Sequence, residues 1–70
     1  MRLTKLAGDC NNGPCPAIRA IDATDDVLFQ GYKITDPEIL AQLNIPPGEI
    51  VGRLPARFIL EAAEKLRGRA

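Results

Sequence analysis

Two cysteines, Cys10 and Cys15, stand five positions apart around Asn-Asn-Gly-Pro, with Pro16 directly after the second. No other pair in the 70-residue chain so directly invites chemistry. Structural zinc is held by four nitrogen or sulfur ligands, yet the chain has two cysteines and no histidine, so one copy cannot close such a site. Two copies together could supply four thiolates. The C-x4-C spacing differs from the C-x-x-C of thioredoxin-like chemistry, and no helix start follows Cys10 to favour a thiolate. Three readings stay open: unbonded structural thiols, a local disulfide folded back through Gly13-Pro14, and a metal site shared between copies.

The carboxylates carry less chemistry. Asp36 and Glu38 lie two apart, a spacing that does not bring side chains together on a helix, and both suit a helix start, where the backbone dipole favours acids. Asp22, Asp25 and Asp26 read as a solvated turn, because calcium loops need more oxygen ligands in a longer frame. Without histidine there is no Ser-His or Cys-His pair, and no glycine-rich phosphate loop is present. The expectation is a protein with no catalytic residue, no resident metal, no cofactor and no evident small-molecule substrate.

The elements that would position these residues form one small domain spanning the chain. At this length only about 60% of the surface exposed by the unfolded chain is buried on folding, so a staple or a partner matters. Residues 1–16 contain Gly8, Gly13, Pro14 and Pro16 and are expected to be irregular. Residues 17–22 and 27–34, on either side of Ala-Thr-Asp-Asp, alternate or are rich in β-branched and aromatic types, and so predict a β-hairpin. Thr35 and Glu38 have capping-box spacing around Pro37, which predicts a helix of about two turns with Ile39, Leu40 and Leu43 on one face. Pro47 and Gly48 fit the centre of a type II turn, and a third strand is expected over 49–54.

Pro55 opens a C-terminal helix with no internal breaker before Gly68. Phe58, Ile59, Ala62, Ala63 and Leu66 form its expected core stripe, while Leu60 falls outside it, near Ala56 and Arg67. The whole apolar arc spans roughly 200° at about 100° per residue, more than one small sheet needs. The predicted fold class is therefore α+β: a β-hairpin, a short helix, a third strand and an amphipathic C-terminal helix, with a single layer of sheet covered by helices. Ala56, Leu60, Ala63 and Arg67 are the candidate partner-binding residues.

Nine basic and nine acidic residues cancel, which does not suit binding driven mainly by phosphates. The halves differ, however: residues 1–50 hold four Lys/Arg against seven Asp/Glu, and residues 51–70 five against two. That split suits association with a second copy or another protein, and an acidic hairpin bearing Asp22, Asp25 and Asp26 is the nearest complement to the basic helix. No apolar run approaches the length of a membrane span, and the first ten residues lack a secretory h-region, so a cytoplasmic protein is expected.

Gly31, Ile34, Pro37, Leu43, Ile45, Gly48, Glu49 and Val51 follow a strand, proline-started helix, glycine-acid turn and returning strand. In this segment, 31–55, the chain resembles the half-site of AbrB/SpoVT swapped-hairpin transcription regulators. The resemblance implies a DNA-binding dimer with Arg19, Lys33, Arg53 and Arg57 on phosphates, a reading ranked behind protein association. Residues 15–55 also resemble short actinobacterial proteins with a CPAI, VLFQGYKITDPE, IPPGE layout that are encoded near helix-turn-helix regulators. That likeness implies a regulatory or accessory role. A thiol redox or metal-responsive module acting through Cys10 and Cys15 is the remaining alternative.

Overall fold

The computed structural model describes residues 1–8 and 15–68. Three antiparallel strands, β1 (Leu3–Gly8), β2 (Ala17–Ile21) and β3 (Val27–Gln30), form one sheet in that order. A two-stranded ribbon pairs β4 (Tyr32–Lys33) with β5 (Gly52–Arg53), and the one-turn helix α1 (Pro37–Leu40) lies between them in sequence. The C-terminal helix α2 (Ala56–Arg67) packs on β1 and β2. The molecule is a small α+β protein, as its alternating runs and long terminal helix require.

The β2–β3 hairpin forms where the sequence places it, with Ile18 opposite Phe29 and Ala20 opposite Val27. Its connection is held by the Ile21 amide donating to the Asp26 carbonyl at 3.1 Å. The Thr24 hydroxyl donates to the Ile21 carbonyl at 2.6 Å and accepts from the Asp26 amide at 3.1 Å. Ala23 takes a positive φ of 68° in this turn, a conformation that costs a residue with a Cβ.

The N-terminal segment corrects the expectation of irregular structure over 1–16, because residues 3–8 are a full strand. Its register slips between Lys5, which faces Arg19, and Ala7, which faces Ile18, leaving Leu6 as the extra residue of a β-bulge. A bulge interrupts strict in-out alternation. Leu6 and Ala7 are consecutive yet both buried, so the period-2 signal that identifies strands is absent where this one matters most. With Ile18 and Ala20 from β2 and Phe58 and Ala62 from α2 they make the core, against which Leu54 is partly buried.

Downstream of Gly31 the chain leaves this core. A Cβ on Gly31 would stand 2.5 Å from the Arg53 carbonyl oxygen, so only glycine permits the close crossing at which the strand passes from the first sheet to the ribbon. The expected third strand over 49–54 is reduced to two residues, since β4 offers it only two partners. The expected two-turn helix is a single turn, and its cap is Asp36 rather than Thr35: the Asp36 carboxylate accepts from the Glu38 amide at 2.9 Å. The turn at residues 46–49 matches its prediction, with the Glu49 amide donating to the Pro46 carbonyl at 3.1 Å and Gly48 at φ 92°. Among the described residues no other strand or helix brings its Cα atoms within 8 Å of α1. Residues 31–53 are thus an arm attached to the core at its two ends.

Candidate interaction surface

On α2, side chains separated by about 100° per residue sort into two faces. Phe58, 1% exposed, and Ala62 face the sheet. Arg57 lies over the Phe58 ring, 4.5 Å from guanidinium carbon to ring centroid, and covers its outer side. Turning away from that contact, Leu66, Ile59, Ala63, Ala56 and Leu60 follow in angular order, and all are exposed. Ile59, expected to face the sheet, is 54% exposed, and Ala63 and Leu66 are also outside. The reason is size: β1 and β2 reach only the stripe carrying Phe58 and Ala62, and the remaining apolar arc overhangs. Leu60, 70% exposed, sits at its far edge.

Arg67, expected to be free for a partner, instead donates to Glu64 at 3.3 Å, an i,i+3 pair with both side chains largely in water. Lys65 approaches Glu61 at 3.9 Å, as their i,i+4 spacing predicts. Such exposed pairs add little stability, but they leave α2 with a charged stripe on one side and an apolar one on the other. Of the four candidate partner-binding residues, Ala56, Leu60 and Ala63 share the overhanging arc, and Arg67 falls within it between Ala56 and Leu60.

A second, largely apolar surface lies between β3 and the arm, and of the candidate residues read from the sequence it takes in Lys33. Phe29, Tyr32, Leu40, Ile45, Ile50 and Val51 line a half-open groove of about 620 Å³. Gly52 forms part of its floor: a Cβ there would stand 3.1 Å from the Phe29 ring. Ile50 is 85% exposed. The available signal was that Ile45, Ile50 and Val51 flank the Pro-Pro-Gly-Glu turn with no third layer in the sequence to cover them.

The four cations considered for DNA do not form one stripe. Ile18 and Ala20 face α2, so Arg19 between them projects from the opposite side of the sheet, where it donates to the Gln30 side-chain oxygen at 3.2 Å. Arg57 belongs to the α2 side. In the ribbon Lys33 pairs with Gly52 and Arg53 with Tyr32. Directly paired residues share a face and successive ones alternate, so Lys33 and Arg53 point to opposite faces.

Cys15 is disulfide-bonded; Cys10 lies outside the described residues. The Asp22 carboxylate accepts from the Thr4 hydroxyl at 2.9 Å, and the Asp22 amide donates to the Arg2 carbonyl at 2.9 Å, tying this end of the hairpin to β1. Asp22 therefore helps to secure the sheet. Among the described residues no three His, Cys, Asp or Glu side chains gather as metal ligands, no buried side-chain polar atom lacks a hydrogen bond, and no helix is long and apolar enough to cross a membrane. Comparison of the chain with protein families, with curated proteins and with solved structures finds no match.

Proposed function

We propose that the protein is a non-enzymatic interaction module, cytoplasmic and accessory to regulation, that works by docking the exposed face of α2 on another protein chain. The single observation behind this reading is the arc from Leu66 to Leu60, a run of apolar side chains at helical spacing that the sheet leaves uncovered. Contiguous exposed apolar patches of this kind mark association surfaces in soluble proteins. The regulatory setting follows from the resemblance of residues 15–55 to proteins encoded beside helix-turn-helix regulators.

DNA binding is the weaker reading, because Arg19, Lys33, Arg53 and Arg57 project in different directions and the net charge is zero. It requires affinity that falls steeply with salt as counterions are released. Affinity capture from host cells with tagged wild type and with Leu60→Glu tests the association reading. Wild type retains a partner, untagged copies of the chain included, and the folded variant loses it. Equal capture by both, with the variant's circular dichroism unchanged, refutes the reading.

A further inference from the structure

The groove on the arm and the overhanging arc of α2 are one concave and one convex apolar surface on the same chain. We propose that the protein is a homodimer in which Leu60 and its neighbours on α2 of each copy seat in the groove lined by Tyr32, Leu40, Ile45 and Ile50 of the other. The contact is made twice about a two-fold axis. This inference rests on the association reading above and names its partner as a second copy.

Area is the first argument. The chain exposes 5603 Å², where a compact monomer of 7.6 kDa exposes about 4,300 Å². The surplus of roughly 1,300 Å² exceeds the ~800 Å² that each partner contributes to a standard interface. The same excess appears in shape, since the radius of gyration is 13.6 Å against about 11 Å expected for this length. The arm, whose helix has no Cα within 8 Å of another described strand or helix, contributes to both. Its apolar residues are spent only if another chain covers them.

Reciprocity is the second. One groove and one ridge per chain can be satisfied in pairs with nothing left over, which is the condition for a closed isologous dimer. An open head-to-tail chain would leave a groove bare at one end and a ridge bare at the other. Charge is the third: the arm between Gly31 and Gly52 carries Asp36, Glu38 and Glu49 against Lys33, whereas α2 carries Arg57, Lys65 and Arg67 against Glu61 and Glu64. These acids stand outside the groove, whose one charged lining residue is Lys33, so the opposite net signs of arm and helix act at long range and steer the encounter rather than hold the contact.

Sedimentation of the purified full chain, alone and as variants, decides the matter. Ile50→Lys alters the groove and Leu60→Glu the ridge, and both residues are exposed, so folding is retained and is checked by circular dichroism. The expected result is a wild-type dimer and, for each variant alone, self-association weakened at least about tenfold. An equimolar mixture of the two variants dimerises again: it contains one native contact, and its second contact sets the introduced lysine against the introduced glutamate. A wild type that stays monomeric at millimolar concentration overturns the proposal, while capture of a different protein in the preceding experiment would leave the association reading standing. Loss of dimer in Leu60→Glu with Ile50→Lys unaffected also overturns it, since helix would then meet helix. So does a mixture that fails to recover.

Discussion

Replacing Phe58 by alanine removes the largest fully buried side chain among the described residues. The buried apolar set is Leu6, Ala7, Ala17, Ile18, Ala20, Phe58 and Ala62, four of them alanines, so few neighbours can move inward to fill the space. Truncation of a buried aromatic costs about 3–5 kcal/mol. A 70-residue domain has only about 4–10 kcal/mol of stability in total. At roughly 4–8 °C per kcal/mol for a domain of this size, the variant melts at least ~12 °C lower, or is unfolded at room temperature. The control is its neighbour in sequence: Ile59→Ala, at a position 54% exposed, costs under about 1 kcal/mol once the protein is dilute enough to be monomeric. Helical circular dichroism followed through thermal and urea unfolding reads both variants. Equal losses, or a larger loss for Ile59→Ala, would refute the assignment of the helix face and with it the exposed arc.

Asp36→Ala frays α1 by roughly 1 kcal/mol of cap energy whereas Thr35→Ala leaves it intact, read as faster amide exchange at Leu40 and Ala41 in the first variant only. Ala23→Gly stabilises the protein by up to about 1 kcal/mol, because relief of a left-handed alanine (~1–2 kcal/mol) outweighs the added freedom of the unfolded chain; a lower melting temperature would contradict the turn geometry. Cys15→Ser removes the disulfide and lowers stability by about 2–4 kcal/mol in urea titration, with partner capture retained at temperatures where the variant is folded.

Local chemistry made much of this protein legible from its residues. The β2–β3 hairpin follows from β-favouring runs on either side of a polar turn, the residue 46–49 turn from Pro47 and Gly48, and α2 from a breaker-free run of good helix formers after Pro55. The excess width of the α2 apolar arc was also readable, since it depends only on helical spacing. Which part of that arc is buried was not, because the answer lies in how far two strands reach across it: Ile59 was expected inside and is outside. Strand β1 was hidden by its bulge, and Asp36 took the cap from Thr35 through a one-residue shift that spacing rules do not resolve.

The groove is assembled by tertiary structure. Phe29, Tyr32, Leu40, Ile45, Ile50 and Val51 are scattered over more than twenty positions, and they converge because Gly31 carries the chain across Arg53 from one sheet to the other. Side-chain type and spacing determine which local elements form and which of their faces are apolar. What covers those faces is decided by contacts between distant segments, and in the single chain Ile50 on the arm and Leu60 on the outer face of α2 stay exposed.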